Sequence, residues 1–335
     1  MAFNEIIGHS TIIRSLQNSL RKDKISHAYL FFGPDGIGKK LIAFSLAKAI
    51  NCINQEGDFC GSCDSCRRIE NGVHPDFFFI EPEGQSIKID QLRDLQASTR
   101  YKPYMAKRKI CIIDQVDRMT ASAANSILKT LEEPPGTMVL ILLATYIDQI
   151  LPTVRSRCQL LQFSPLSTGD VERLIIDKMA LPQDKAHLLA SFAAGSIGKA
   201  QYLDPAILEE KNKKILFLIE HLYSLKIEEI FTEAKKLAEE KNSENLQHLL
   251  ALWIYWYYDI WKYKLTGNEQ NLTNTHQIGY IHQQSQLLSY LKIKKNIQLI
   301  QNALSALQRN ANKQLTMEVM LMKLSTHENR ISFEL

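Results

Sequence analysis

The sequence predicts an α/β domain built on a parallel sheet, followed by a part of the chain that is entirely helical. Two observations lead to this prediction. All 10 prolines and 12 of the 14 glycines lie in the first 205 residues, and the rest of the chain has only Gly267 and Gly279. Because proline and glycine interrupt helices and supply turns, the front is turn-rich and the back is free to form long helices. The second observation is that apolar strand-like runs alternate with helical stretches in the front part.

Four apolar runs have the length and composition of buried strands. They are residues 28–32, 77–80, 109–113 and 138–143. Cys111, inside the third run, is most simply a core residue. Strands that alternate with helices pair in parallel and are covered on both faces, so the predicted fold class is α/β.

The composition excludes several classes of protein. Hydrophobic residues make up 45% of the chain and charged residues 23%, which is typical of a globular protein and not of a disordered one. No apolar run approaches the ~18 residues of a membrane span, and the first residues lack the order of a secretory signal. A cytoplasmic protein is therefore expected. The formal net charge of +4 is spread over both halves, so contact with nucleic acid would have to be local or shared with partners.

A glycine-rich segment follows the first strand and opens a helix. Gly33, Gly36 and Gly38 precede Lys39, in the spacing of a phosphate-binding loop. Glycines let the backbone approach phosphates, and the amides at the helix start point at them. Such loops continue with Ser or Thr, whose hydroxyl ligates Mg²⁺, but here Lys40 follows, which has no acceptor. The sequence predicts a phosphate cradle with a defective metal site; a purely structural turn is the alternative.

The third strand ends in Asp114, the place where many nucleotide sites hold the Mg²⁺ shell. An Asp at a strand end is also explained as a helix N-cap, so this position indicates a nucleotide site only together with the glycine-rich loop. The next residue is Gln115, whose amide can orient a water but cannot take its proton. Lys40 and Gln115 thus each replace a group that ATP hydrolysis requires, while the shape of the nucleotide site is kept.

Four of the six cysteines lie close together, at positions 52, 60, 63 and 66. Two tight CxxC pairs suit a tetrahedral Zn²⁺, and four thiolates leave no open position, so the predicted metal is structural. The predicted ligands are Cys52, Cys60, Cys63 and Cys66. The alternatives are a disulfide, which a reducing compartment disfavours, an iron–sulfur cluster, although nothing else in the sequence suggests electron transfer, and unconnected thiols.

Residues from about 3 to 163 resemble the clamp-loader AAA+ ATPases of bacterial DNA polymerase III. The specific segments are the phosphate loop, the cysteine quartet, Leu-Glu-Glu-Pro-Pro at 131–135 and Ser-Arg-Cys at 156–158. Motor subunits of this family (gamma/tau) carry Thr after the loop lysine and Asp-Glu after the strand. Lys40 and Asp114-Gln115 depart from that pattern and look like the related stator subunit, delta prime.

The resemblance implies a mechanism and a set of partners. In these loaders, the arginine of Ser-Arg-Cys acts as a finger on the ATP of the neighbouring subunit, which assigns that role to Arg157. Arg155 is an alternative finger, and a structural arginine paired with a carboxylate is the alternative role for Arg157. The implied partners are gamma/tau motors and the clamp-opening delta subunit in a hetero-oligomeric ring, the sliding clamp, and primed DNA held by the assembly. An active gamma/tau-like ATPase is the alternative function, and ATP or ADP binding without turnover stays open.

The predicted domains are an AAA+ domain over 1–165 with a zinc module at 52–66, a helical lid over 166–205 and an all-helical collar over 206–335. In the lid, the motors' Gly-Ser-x-Arg motif is replaced by a sequence ending in Gly198, so the nucleotide-contacting arginine is missing. In the back, residues 252–261 contain all three tryptophans, which predicts a helix buried in a core or interface. The Asn/Gln-rich stretch 268–286 is predicted as a loop.

A third hypothesis treats the cysteine quartet as the functional element. It makes the chain a zinc-dependent nucleic-acid-binding module and predicts salt-sensitive DNA binding by residues 45–80 alone.

Overall fold

A computed structural model describes residues 2–325, apart from 55–56, 100, 223, 240–242, 270–271, 273, 275–276 and 310. The chain divides into two compact units: residues 1–181 with 193–201, and residues 182–192 with 202–335. Residues 166–181 and 193–201 of the predicted lid thus group with the sheet domain, and 182–192 with the helical unit. Residues 326–335 of the predicted collar lie outside the described residues.

The first unit is built on a parallel sheet in the order β2-β3-β4-β1-β5. This confirms the α/β prediction and all four predicted strands. The fifth strand was not predicted, because its sequence Gln-Leu-Leu-Gln is short and its side chains are mostly exposed. The strands are β1 (Ala28–Phe32), β2 (Phe77–Ile80), β3 (Lys109–Ile113), β4 (Met138–Ala144) and β5 (Gln159–Gln162).

Helices connect these strands and make up most of the second unit. Short 3-10 turns occur at Phe3–Glu5, Val116–Arg118 and Ile147–Gln149. The α-helices of the described residues are α1 (Ser10–Arg21), α2 (Lys39–Asn51), α3 (Asp64–Glu70), α4 (Ile89–Thr99), α5 (Ala121–Glu132), α6 (Pro152–Arg155), α7 (Thr168–Met179), α8 (Gln183–Phe192), α9 (Ile197–Tyr202), α10 (Pro205–His221), α11 (Ile227–Ala238), α12 (Ser243–Thr266), α13 (Ile278–Leu287), α14 (Tyr290–Gln308) and α15 (Lys313–Ser325).

The two faces of the sheet are buried in separate apolar clusters. Along β1, Tyr29 and Phe31 belong to one cluster, while Ala28 and Leu30 belong to the other. The same alternation continues along β3, where Cys111 is fully buried, as predicted for a core residue. A sheet covered on both faces leaves its strand ends as the accessible places for chemistry.

The second unit is helical in its described residues and packs around α12. Trp253, Trp256 and Tyr257 on this helix are each only 1% exposed, which confirms the predicted burial of the aromatic segment. The prediction of a loop over 268–286 is wrong in its last part, because α13 begins at Ile278. Its buried Ile281 packs in the core of this unit, and this tertiary packing outweighs the weak helix preference of Gly279, His282 and Ser285.

None of the helices in the described part of the chain is both long and apolar enough to cross a membrane.

Candidate nucleotide site, arginine finger and metal site

The phosphate-binding loop lies between β1 and α2, as its sequence predicts. Gly38 caps the helix with φ of 105°, a conformation that favours glycine. The Lys39 side chain is buried and donates to the carbonyl oxygens of Gly33 at 2.6 Å and Pro34 at 2.7 Å. Burial lowers the pKa of Lys39, and the nearby carboxylates Asp35, Asp114 and Asp117 oppose that shift. The lysine is therefore in place at the loop and holds its backbone in a curled form.

Two of the loop glycines are required by close packing. A Cβ at Gly33 would lie 2.2 Å from the carbonyl oxygen of Phe163. At Gly36 it would lie 2.4 Å from the Ser196 hydroxyl and 3.0 Å from the Cα of Gly198. The amide of Gly198 also donates to the Gly36 carbonyl at 2.9 Å. The start of α9, where the lid motif lies, is thus packed directly on the phosphate loop.

Lys40 points to the end of β3, where a magnesium ion would bind in an active site of this type. Its ammonium lies 3.9 Å from Asp114 Oδ2 and 3.8 Å from Glu81 Oε2, and 4.1 Å from the centroid of the Phe79 ring. Burial raises the pKa of Asp114, and the positive charge of Lys40 counteracts this. An ammonium next to the strand-end carboxylate disfavours a divalent cation at the same place, because like charges repel.

Gln115 has a left-handed backbone, with φ of 54°, and begins the 3-10 turn after β3. Its own amide donates to Asp114 Oδ1 at 3.0 Å. Two residues further on, the Asp117 carboxylate accepts the amide of Thr145 at 3.4 Å, which joins the ends of β3 and β4. The ends of β3 and β4 are therefore adjacent at this site, and position 115 carries an amide and not a carboxylate.

Arg157 lies in the turn between α6 and β5, and its hydrogen bonds within the chain orient its side chain. Its Nε and Nη2 donate to Glu132 Oε1 at 3.0 and 2.6 Å, and its Nη1 donates to the Thr153 carbonyl and the Ser156 hydroxyl. The guanidinium side chain is 35% exposed, and Glu132 is 51% exposed. The arginine is therefore paired with a carboxylate, as its structural alternative predicts, and the pair is partly exposed to solvent.

Arg155, the alternative finger, is held more loosely. Its Nη1 lies 3.9 Å from Asp148 Oδ1, the carboxylate of an almost fully exposed side chain. Surface pairs at this distance are weak. Of the two arginines, Arg157 has the more defined orientation.

The four predicted cysteine ligands converge at one place beside the N-terminus of α3. The sulfur atoms of Cys52, Cys60, Cys63 and Cys66 all lie within 4.8 Å of one another. A tetrahedral Zn²⁺ with bonds of about 2.3 Å places its sulfurs about 3.8 Å apart, so the quartet fits such an ion. The quartet could therefore hold a metal ion.

Backbone amides support negative charge on these sulfurs. The amides of Cys60, Cys63 and Cys66 point at the sulfurs of Cys52, Cys60 and Cys63, at 3.3 to 3.4 Å. Hydrogen bonds, led by that of Ser62, lower the pKa of Cys60 to about 6, whereas burial raises the pKa of Cys66. Thiolates are the form of cysteine that binds a metal, so the amides prepare the site for one.

Sequence reasoning did not find several residues of these sites. Glu132 is part of the Leu-Glu-Glu-Pro-Pro segment, but its pairing with Arg157 depends on the approach of α5 to the turn after α6, and the two residues are 25 positions apart. Glu81 was likewise not linked to Lys40. The packing of Gly198 on Gly36 had one indication in the sequence, since glycine replaces the arginine of the lid motif.

Comparison with known families agrees with the segments that carry the sequence resemblance. The family described as DNA polymerase III, delta subunit, matches residues 8–167, and its C-terminal family matches residues 206–326. The subunit delta' of DNA polymerase III from Bacillus subtilis (strain 168) is 32% identical over 316 residues, which cover 93% of this chain and 95% of the relative. The delta' subunit of Pseudomonas aeruginosa is 34% identical over 253 residues, which cover 74% of this chain and 75% of the relative.

Other similar proteins are more distant in coverage or structure. The tau subunit of Bacillus subtilis is 34% identical over 212 residues, 61% of this chain and 38% of the relative. A gamma-subunit-related protein of Thermotoga maritima is 17% identical and covers 93% of this chain and 98% of its own, with a TM-score of 0.39, too low to support an argument. The near full-length match to delta' decides the assignment: the chain belongs to the delta' subunit family of DNA polymerase III.

Proposed function

We propose that this chain is the stator of a sliding-clamp loader in DNA replication, an AAA+ subunit that does not hydrolyse ATP itself. The observation that carries the proposal is the position of Lys40, whose ammonium lies 3.9 Å from Asp114. A cation that is part of the chain occupies the place where a motor subunit holds Mg²⁺. Without that ion, nothing bridges the β- and γ-phosphates or neutralises the charge of the transition state.

Two further positions support the loss of hydrolysis. Gln115 cannot take a proton from an attacking water at neutral pH. Gly198 has no side chain to reach a nucleotide, and its backbone packs on Gly36 of the phosphate loop. The cradle of Gly33, Gly36, Gly38 and Lys39 is retained as a shape, and any binding of ATP or ADP there would be passive.

The test is the ATPase activity of the purified chain with and without Mg²⁺. A stator is supported if the chain hydrolyses ATP no faster than the Lys39→Ala variant. Any hydrolysis that remains in both preparations then comes from a contaminating ATPase. Robust Mg²⁺-dependent hydrolysis that Lys39→Ala abolishes would refute the proposal. It would favour the second function, an active gamma/tau-like ATPase.

Arg157 is proposed to act in trans, on the ATP of an adjacent motor subunit. Its permanently charged guanidinium has one N–H donor beyond the four hydrogen bonds that it makes within the chain, and this donor can bind a phosphate oxygen. In related NTPases, a finger in trans accelerates the step by about 10³-fold or more. The hydrogen bonds of this arginine to Glu132 and the Thr153 carbonyl support the role, since a side chain that is already oriented loses less entropy on binding.

This role is tested by reconstitution with the gamma/tau and delta subunits. Arg157→Ala is expected to leave the assembly intact and to abolish the share of DNA-stimulated hydrolysis that comes from the adjacent site. Arg155→Ala is the matched control, because it removes the same charge from the same turn. Unchanged hydrolysis with Arg157→Ala, or an equal loss with Arg155→Ala, would show that the finger is not Arg157.

The metal is proposed to be a structural Zn²⁺ held by all four cysteines. Four thiolate ligands leave no position for a substrate, and zinc supplies folding energy at such sites. The metal content of the purified chain tests this: about one zinc per chain is expected, and an iron–sulfur absorption band would contradict it. The zinc-dependent nucleic-acid module is the competing function for this segment.

The partners that we propose for this chain are based on its family. We propose that the second unit contains the collar through which the chain joins gamma/tau and delta in a ring, that 166–205 acts as a lid, and that clamp and primed DNA are met by the whole assembly in the cytoplasm. Native mass spectrometry of the chain with gamma/tau and delta tests the ring. Retained assembly after removal of residues 206–335 would contradict the collar.

A further inference from the structure

The segment that leads into β3 carries a concentrated positive charge. Residues 100–109 read Arg-Tyr-Lys-Pro-Tyr-Met-Ala-Lys-Arg-Lys, with five basic residues and no acidic one, in a chain whose formal net charge is only +4. Lys109 is buried in the strand, and Arg108 is paired with Asp23 at 2.9 Å. Lys102 and Lys107 are exposed. The segment therefore presents two exposed lysines and contains no acidic residue.

Two buried polar side chains fix the backbone of the segment. The Asp76 carboxylate accepts the amides of Tyr104, Met105 and Ala106 at 2.8 to 2.9 Å, and Asp76 is only 1% exposed. The Asn51 side chain accepts the amide of Arg108 and donates to its carbonyl. Burying such groups is favourable only when they are fully hydrogen-bonded. The fold thus fixes a short loop with buried polar groups.

The anchored segment displays aromatic rings to solvent. Tyr101 is 80% exposed, Tyr104 is 86% exposed and Met105 is 45% exposed, although the amides of the latter two are tied to Asp76. These side chains contribute little to the core of the unit. A rigid loop with exposed rings binds a ligand at a lower entropy cost than a flexible one.

We propose that the loop 101–108 is a binding site for single-stranded nucleic acid, in which Tyr101 and Tyr104 stack on bases and Lys102 and Lys107 contact the phosphates. Exposed aromatics combined with basic side chains are the two elements of such platforms. A protein partner is disfavoured, because lysine is depleted in the centre of protein interfaces and Lys102 lies between the two tyrosines. Duplex DNA hides its bases from stacking, so single strands are the better ligand.

The test measures fluorescence anisotropy of a labelled oligothymidylate with the full-length, zinc-loaded chain. Tyr101→Ala and Tyr104→Ala are each expected to weaken binding by at least about fivefold, the lower end of the effect of one stacked base. Lys102→Ala is expected to reduce the slope of log K against log salt by about 0.7, the value for one phosphate contact on a single strand. Since both tyrosines are more than three-quarters exposed, their removal leaves the core intact, which thermal melting verifies.

Tyr202→Ala is the matched control, because Tyr202 is 91% exposed on α9, outside the loop. Binding that falls with either loop tyrosine and is unchanged in the control supports the site. Three results would overturn it: no binding of the oligonucleotide at about 50 mM salt, equal affinity of the tyrosine variants and the unmodified chain, or an equal loss with Tyr202→Ala. The first of these is the result expected if the loop serves an acidic protein instead. The test involves neither ATP hydrolysis nor Arg157, so its result does not depend on whether the stator proposal is correct.

Discussion

Glu132 determines how Arg157 is presented, and its removal gives a specific prediction for the reconstituted loader. In the structure, Glu132 Oε1 accepts two of the four hydrogen bonds that Arg157 donates. Glu132→Ala leaves the guanidinium on the bonds to the Thr153 carbonyl and the Ser156 hydroxyl alone. We expect the adjacent motor site to turn over more slowly, because the finger must then be ordered during the reaction.

The magnitude follows from the exposure of the pair. With side chains 35% and 51% exposed, the pair is a surface ion pair, and solvent screening limits its contribution to about 0.2–1 kcal/mol. This corresponds to a decrease of about 1.4- to 5-fold in kcat at that site. KM for ATP should change little, because the nucleotide is bound by the other subunit. Glu132→Gln keeps an acceptor oxygen and is expected to restore part of the rate.

The assay is steady-state ATP hydrolysis by the complete loader on primed DNA with saturating clamp. Glu133→Ala is the control, since it removes the neighbouring carboxylate of the same Glu-Glu pair, and Arg157→Ala sets the lower limit. A kcat for Glu132→Ala that equals or exceeds that of the unmodified loader, while Arg157→Ala is slow, would refute the positioning role. If Arg157→Ala itself has no effect, the finger assignment fails first, so the two failures are distinguishable.

Three further predictions concern the metal, the anchored loop and the helical unit. Cys66→Ser is expected to lose the zinc and to have a lower Tm, which elemental analysis and calorimetry measure, and full zinc retention would contradict the site. In the unmodified chain, the metal affinity should decrease as the pH is lowered, because the ligands must be thiolates. Burial alone would raise the pKa of Asp76, but its three amide bonds outweigh this and lower the pKa, so the carboxylate stabilises the fold above about pH 4 and loses its effect as the pH falls through the lowered pKa. Asp76→Asn should therefore cost about 1–3 kcal/mol at neutral pH, with a smaller difference in urea unfolding at about pH 3, and a constant difference would show that the charge is irrelevant. Trp253→Ala should destabilise the second unit by about 3–5 kcal/mol in urea unfolding, and a loss below about 1 kcal/mol would mean that the helix is not core.

The parts of the fold that the sequence predicted are those fixed by local pattern. The apolar runs that became β1 to β4 are continuous, and the loop spacing around Lys39 places it without ambiguity between a strand and a helix. β5 was missed because its Gln-Leu-Leu-Gln sequence has no apolar continuity, and it forms only by pairing with β1. The start of α13 was missed because its polar residues hide the contribution of buried Ile281.

The site residues likewise differ in whether a local sequence pattern predicts them. The cysteine quartet was predictable because its ligands are close in sequence and their chemistry is specific. The partners of Lys40 and Arg157 were not, since Glu81 and Glu132 come from other elements and a glutamate has no distinctive pattern of its own. Asp76 was likewise not identified, because a buried carboxylate shows its role only through the amides it binds, and these lie 28 to 30 residues later.

The contact between Gly36 and Gly198 would make the proposed loss of ATP hydrolysis difficult to reverse. A hydroxyl at position 40 or a carboxylate at position 115 would be a change of one partly exposed side chain. An arginine at position 198 is different, because its Cβ would lie 2.7 Å from the Cα of Gly36, inside the loop it is meant to serve. The backbone at Gly198 lies so close to Gly36 that a side chain at position 198 has no space beside the loop. Backbone packing would thus preserve the proposed loss of hydrolysis even where single substitutions could restore the hydroxyl at position 40 and the carboxylate at position 115.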